Sequence, residues 1–362
     1  TLLYRDSIAK PLYDRGLLAE YPPGSPFKIL TGLIGLQEGV VDEQTSFMCH
    51  HGFSYARGRF MKCHGFGPHT LHNGIYNSCN TYFAQVYMRT INKYSKPGYA
   101  VDVWSNHVKS FGLGDFMGYD LPTGKRGNVP TSKTYKKIYP NGGWRSTTIV
   151  SNAIGQGEVL MTPIQLANMM ATVANEGYYY TPHIIKKIKG ESIDPKFKVK
   201  HETTIDKKYF KPMISGLFDV YNFGTASALR VEGIDICGKT GTAENSAKIN
   251  GKKTKLEDHS IFVAFAPKDN PKIAIAILVE NGGYGATIAG PIASLMIEKY
   301  LRNKITRTDL EKRILERSLK DRYAKLGGMK EASAIETTPK DSVKKIATTT
   351  LRSTVIDTTK KN

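Results

Sequence analysis

A mixed α/β (α+β) domain, an antiparallel sheet flanked by helices, is the fold this 362-residue sequence predicts. Three observations carry it. Helix-period apolar patterns dominate the first two-thirds of the chain, and strand-like runs crowd into residues 234–279. With 40% of residues hydrophobic and 10% aromatic, there is material for at least one large core.

The elements follow in order. After Pro22-Pro23-Gly24, the run Ser25–Gly35 reads as a helix, with Pro26 in its first turn and Phe27, Ile29, Leu30 and Leu33 apolar. Residues 80–93 and 288–301 are further helices. Between them, Thr162 caps a helix with Pro163 at N1 and Ile164, Ala167, Met170 and Ala174 in phase, and Gly177 stops it. Strands are expected over Ile234–Cys237, Ser260–Ala266 and Lys272–Val279. The globular part is expected to end near residue 303. Asp309–Lys325 reads as one charged helix, and the Lys/Ser/Thr/Ala-rich remainder of 304–362 as a disordered basic tail.

Charge and cysteine count exclude several classes. Lys and Arg exceed Asp and Glu by 51 − 32 = 19, but the excess is spread out, and residues 301–362 alone carry 16 basic against 8 acidic side chains. No nucleic-acid reader motif accompanies it, so nucleic acid is not expected as a partner. An anionic surface or plain solubility accounts for the charge as well. Four cysteines are too few for a disulfide scaffold. No apolar run approaches the ~18 residues of a membrane span. The first residue is Thr1, so a preceding segment is expected.

Three short motifs carry chemistry. Ser25-Pro26-Phe27-Lys28 sets a hydroxyl and an amine one turn apart at a helix start. A lysine serves as base to a serine only if burial or positive charge lowers its pKa. The helix N-terminus adds N–H groups for an oxyanion. Ser78-Cys79-Asn80 offers a second hydroxyl to relay a proton and an amide to hold a carbonyl. Lys239-Thr240-Gly241-Thr242 follows a short apolar run, with Lys239 and Gly241 on one strand face and the Thr242 N–H as a second oxyanion donor. Singly these are a capped helix, a cap and a turn. In this order they form the S-x-x-K, S-x-N, K-T-G set of penicillin-binding proteins and serine β-lactamases.

Tyr21-Pro22-Pro23-Gly24-Ser25-Pro26-Phe27-Lys28 resembles the nucleophile segment of class B penicillin-binding proteins. Ile154-Gly155-Gln156-Gly157 with Thr162-Pro163-Ile164-Gln165, Gly238–Glu244, Phe265-Ala266-Pro267 and Glu280-Asn281-Gly282-Gly283 are similar to that family too, over about residues 4–303. The resemblance implies a penicillin-binding/serine β-lactamase-like transpeptidase fold and a peptidoglycan D,D-transpeptidase of cell-wall elongation. It also implies roles: Ser25 as acyl acceptor, Lys28 as base, Ser78 and Asn80 as second motif. Lys239, Thr240, Gly241 and Thr242 would bind the substrate carboxylate and shape the oxyanion hole. Stem peptides and β-lactams would be ligands; a membrane glycosyltransferase of the shape/elongation/division/sporulation type and scaffold proteins would be partners. Members of the family carry a membrane helix, a pedestal and the first strands of the sheet ahead of this point, which places the domain in the periplasm at the inner membrane.

Residues 42–79 form a Cys/His-rich insertion. Cys49, Cys63 and Cys79, with His50, His51, His64, His69 and His72, fall in or beside it. Some family members hold zinc beside the second motif, and their spacing fits Cys49, Cys63, His69 and Cys79, with His64 or His72 as substitutes for His69. A structural zinc is therefore expected, with no cofactor for catalysis. A disulfide or free thiols are the rivals, and Cys237 reads as a small buried residue. As to activity, a serine β-lactamase would need a deacylating water, and no glutamate motif for one is evident. A penicillin-sensing receptor would resemble class D β-lactamases around the serine, and this chain does not.

Overall fold

The computed structural model describes residues 10–249 and 251–324, all within one compact unit. At its centre lies helix α1 (Lys28–Gln37), preceded by a 3-10 turn at Ser25–Phe27. Every residue from Lys28 to Leu36 is buried, and a helix apolar all round belongs in the middle of a core. A hairpin follows, β1 (Phe47–Ala56) and β2 (Arg59–His69), then the short α2 (Leu71–Tyr76), α3 (Asn80–Asn92) and α4 (Pro97–Lys109). Gly32 and Gly35 of α1 leave no room for a side chain: a Cβ at Gly32 would meet Met213, Leu71 and Phe83, and one at Gly35 would strike Val86.

Helix α5 (Pro163–Ala174) starts as the sequence predicts. Thr162 and Gln165 make a capping box, Pro163 occupies the first turn, and the Gly177 N–H closes the C-terminus on Thr172 O. A two-stranded ribbon, β3 (Tyr178–Tyr180) with β4 (Lys200–Glu202), leads to α6 (Phe210–Asn222). The central sheet comes last. It comprises β5 (Cys237–Ala243), then, after the hairpin β6 (Ser246–Ile249) and β7 (Lys252–Lys255), β8 (His259–Ala266) and β9 (Ile273–Val279). The order is β5-β8-β9, antiparallel throughout, with Lys239 opposite Val263 and Gly241 opposite Ile261.

Alternation along β8 divides the core. Ile261, Val263 and Phe265 join the large cluster built from α1, α3, α5 and α6. Phe262, Ala264 and Ala266 face the other way, onto α7 (Ala289–Arg302) through Ala289, Ala293 and Ile297. Each large apolar side chain so buried contributes about 1.5–3 kcal/mol, so the sheet is fixed from both faces.

Two expectations need correction. The first strand is not Ile234–Cys237: it begins at Cys237, so Lys239–Thr242 lie inside it rather than after it. Pairing along β8 overrides the low strand propensity of two glycines. Asp309–Lys325 is not one helix either, but two, α8 (Thr308–Leu315) and α9 (Lys320–Ala324), with Lys325 outside the described residues. Packing also continues past residue 303. Buried Glu298 accepts from Arg307 Nε (3.0 Å) and the Thr306 N–H (2.9 Å), and Arg322 donates to Asn281 O (3.0 Å). The rest of the expected tail lies outside the described residues.

Candidate active site

The nucleophile segment is bound on both sides before its side chains matter. Tyr21 pairs with Met161 through two backbone hydrogen bonds, and the Gly24 N–H donates to Gly155 O at 2.9 Å. Gly155 is left-handed (φ 68°), and a Cβ there would sit 2.4 Å from Gly24 O and 2.6 Å from the Phe27 Cβ. That contact explains the Ile154-Gly155-Gln156-Gly157 motif. From the other side, Gly241 of β5 meets the Pro26 ring, where a Cβ would come within 2.7 Å. The two glycines let a loop and a strand close on Ser25.

Ser78 links α2 to α3 with φ 56°, a left-handed conformation that non-glycine residues adopt rarely. This strained link stands just before Cys79, the N-cap of α3, and presents its hydroxyl to both members of the first motif. The Ser78 Oγ donates to Ser25 Oγ at 3.0 Å, and Lys28 Nζ donates to Ser78 Oγ at 3.0 Å. Lys28 Nζ also donates to Ser78 O (2.7 Å) and Asn80 Oδ1 (2.5 Å). No hydrogen bond joins Lys28 to Ser25 directly. The order is Ser25, Ser78, Lys28, with Asn80 holding the lysine. Complete burial pushes the Lys28 ammonium down to about 8, partly opposed by negative charge on the neighbouring Cys63 sulfur.

Lys239 is also fully buried, and among the described residues its Nζ makes one hydrogen bond, to Thr240 O at 3.3 Å. Burial lowers its pKa well below the ordinary value, and the Lys28 charge lowers it further. Thr240 points to the opposite face of the strand, where its hydroxyl meets that of Thr225 at 2.7 Å. Thr225 was not singled out in the sequence, because nothing local to it suggests a partner fifteen residues on. Thr242 lies beside the nucleophile segment: a Cβ at Gly24 would stand 3.0 Å from Thr242 O and 3.6 Å from its N.

The three cysteine sulfurs of the hairpin region converge. Cys49, Cys63 and Cys79 Sγ all lie within 4.8 Å of one another, and all three are buried free thiols. The Cys63 sulfur accepts from the backbone N–H groups of Gly65 (3.3 Å) and Asn80 (3.2 Å) and lies 3.8 Å from Cys79 Sγ. The Cys79 contact, together with those two N–H donors, pushes the Cys63 thiol down, while Cys79 moves up because only one of the pair ionises readily. His69 stands at the edge of this cluster. Its Nδ1 contacts Gly67 O at 3.0 Å, which assigns the proton to Nδ1 and leaves the Nε2 lone pair free. A Cβ at Gly65 would be 3.1 Å from His69 Nε2 and 3.5 Å from Cys49 Sγ, so both line one small space. The two substitute histidines do not reach it: His64 is exposed, and His72 Nε2 is held by Asp219 at 2.7 Å. The group gathered within 4.8 Å holds the three thiols and not His69; three thiols, with an imidazole at their edge whose proton is on the far nitrogen, are a donor set that suits zinc.

Residues 4–298 match the penicillin binding protein transpeptidase domain. The chain belongs to that family. Among its curated relatives is peptidoglycan D,D-transpeptidase MrdA of Acinetobacter baumannii, 33% identical over 302 residues, covering 79% of this chain and 43% of that one. Among solved structures, PBP2 of Pseudomonas aeruginosa in complex with WCK 5153 superposes with a TM-score of 0.70 at 29% identity, over 84% of this chain and 64% of that one. A peptidoglycan synthase complex that coordinates polymerization and crosslinking contains a chain matched with a TM-score of 0.69 at 30% identity, over 82% and 48%. The chain thus spans less than half the length of the MrdA relative. The penicillin-binding fold expected from the motifs is borne out.

Proposed function

We propose that this domain is a serine D,D-transpeptidase that cross-links peptidoglycan stem peptides. The observation that carries this reading is the hydroxyl relay from Ser25 through Ser78 to a lysine whose pKa is pushed down to about 8. Ser25 Oγ attacks the carbonyl carbon of the penultimate D-Ala. Its proton passes to Ser78 Oγ, and the Ser78 proton passes to neutral Lys28. The oxyanion that forms is held by the backbone N–H groups of Ser25 and Thr242. The C–N bond then breaks, the relay returns the proton to the leaving D-Ala amine, and an ester on Ser25 remains. An acceptor amine attacks that ester, loses a proton to Lys28 through Ser78, and Ser25 leaves as the hydroxyl. In a β-lactam the expelled amine stays tethered to the acyl group, so the ester persists. Thr240 and Thr242 share one face of β5 and would offer their hydroxyls to the substrate's terminal carboxylate, with Thr225 bonded to Thr240, while Lys239 is buried on the other face near Lys28.

The same reading places the domain outside the cytoplasm, facing the cell wall, and gives it a glycan polymerase as a working partner. Its similarity to a chain of a peptidoglycan synthase complex that coordinates polymerization and crosslinking supports the second point. Cys49, Cys63, His69 and Cys79 would hold a structural zinc. A bound zinc would tie the β1–β2 hairpin to the start of α3, next to Ser78 and Asn80. Purified protein incubated with pentapeptide-bearing strands should release D-Ala and yield cross-linked dimers, and Ser25→Ala should yield neither. Hydrolysis without dimers, in the presence of acceptor and polymerase partner, contradicts the transpeptidase reading.

A further inference from the structure

Among the described residues no element covers the outer face of the β1–β2 hairpin, and that face has no role in the acyl transfer described above. The register sets Met48 opposite Pro68 and His50 opposite Phe66. Along β2, Phe60, Lys62, His64, Phe66 and Pro68 alternate with the residues that turn inward to the cysteine cluster, and all five are exposed. Phe66 is 68% exposed and Phe60 54%, unusual for rings on a hairpin surface. Imidazoles flank Phe66: His51 stacks on it at 5.2 Å between ring centroids, and His50 meets its edge at 5.9 Å. Arg57 and Arg59 are exposed at the hairpin tip, and neither they nor Lys62 forms an ion pair among the described residues.

The charge of this region is one-sided. No Asp or Glu occurs between Glu43 and Asp102, a stretch that contains the whole hairpin and both residues of the second motif. The face is also continuous with the reaction centre. Asn80 accepts from Lys28 through Oδ1 and donates through Nδ2 to Lys62 O at 2.7 Å. The Lys62 side chain therefore projects from a backbone position one hydrogen bond away from the catalytic amide.

We propose that this face is the docking surface for the acceptor strand, a glycan chain bearing carboxylated peptides. The inference rests on the transpeptidase reading and names where its second substrate lies. Carboxylates on the acceptor peptide meet Arg57, Arg59 and Lys62, a cationic surface with no acidic neighbour on its own segment. The exposed rings of Phe60 and Phe66 offer apolar area to the sugar faces. A strand lying here delivers its amine to Ser25 past Asn80, on the side of the site made by β2.

The test separates this inference from the function it rests on. Equilibrium binding of soluble, uncross-linked pentapeptide-bearing glycan strands is measured on the full chain in a Ser25→Ala background, where no chemistry follows. Replacing Arg57, Arg59 and Lys62 together by Gln should weaken binding about tenfold, at roughly half a kcal/mol per exposed charge, and flatten its salt dependence. Phe66→Ser, which removes no charge, should weaken binding while leaving the salt dependence as in the parent. Strands whose carboxylates are amidated should bind the parent as weakly as native strands bind the triple variant. Equal binding by parent and both variants, each with unchanged circular dichroism, overturns the proposal and leaves a protein partner as the occupant. Failure of the Ser25 protein to form any acyl-enzyme overturns the transpeptidase reading instead, whatever the strands do.

Discussion

The Ser25–Lys28–Ser78–Asn80 cluster and the Cys49–Cys63–Cys79 cluster adjoin at residues 78–80, yet they are held in different ways. The first is set by buried secondary structure: α1 enclosed in the core, β5 against Pro26, and Gly155 against Gly24. Its polar groups are hydrogen-bonded to one another at 2.5–3.0 Å. The second stands at the base of a hairpin whose outer face is exposed, and its sulfurs have only weak partners at 3.1–3.8 Å. The difference teaches where each draws its rigidity. The proposed catalytic cluster draws its order from protein contacts alone, whereas the sulfur cluster has donors in excess of its internal contacts and would gain most from a bound ion.

Breaking the relay should have the largest effect. Lys28→Met keeps the length and burial of the side chain but removes the amine, and acylation by a fluorescent penicillin should slow by about 10²–10⁴-fold. A Lys28→Met protein that acylates at the parent rate removes Lys28 from the mechanism. The pH profile probes the same group more gently. Lys28 works as the neutral amine, and burial depresses its pKa to about 8, so the ammonium dominates below that pH and the base above it. Acylation should therefore rise roughly tenfold between pH 7 and pH 9 and then level off. A rate that falls over this range contradicts a lysine base.

The sulfur cluster should respond in stability first and rate second. Treatment with a strong chelator, or Cys79→Ser, should lower the melting temperature by more than about 5 °C and slow acylation by only about fivefold, through the shared residues 78–80. Elemental analysis of untreated protein should find one zinc per chain. Thr225→Val sharpens the comparison at its smallest scale. It removes one hydroxyl partner of Thr240, worth about 1 kcal/mol or less, and should reduce acylation about threefold while lowering the melting temperature by no more than about 4 °C. An effect larger than that of chelation would make Thr225 more than a neighbour.

Motif order made the catalytic cluster legible in the sequence, because S-x-x-K, S-x-N and K-T-G each keep their chemistry within a few residues. Three further features were hidden for physical reasons. No direct Ser25–Lys28 hydrogen bond forms as helical spacing implies, since Ser25 lies in a 3-10 turn and Lys28 opens the α-helix, so Ser78 mediates. The start of β5 was misplaced, since Gly238, Lys239 and Gly241 have little strand propensity and are recruited by β8. Thr225 acts through a contact that no local pattern announces. In the hairpin and at the start of α3, the resemblance to the family named all three converging cysteines. Only the fold shows that His72 is taken by Asp219 while His69 stands at the edge of the sulfur cluster.

The central claim is that Ser25 becomes the acyl-enzyme, and peptide mapping by mass spectrometry after brief exposure to benzylpenicillin tests it most directly. The account predicts a single penicilloyl adduct, on the peptide that carries Ser25 and persisting for many minutes. An adduct on Ser78 or elsewhere, or none on a folded protein, contradicts it.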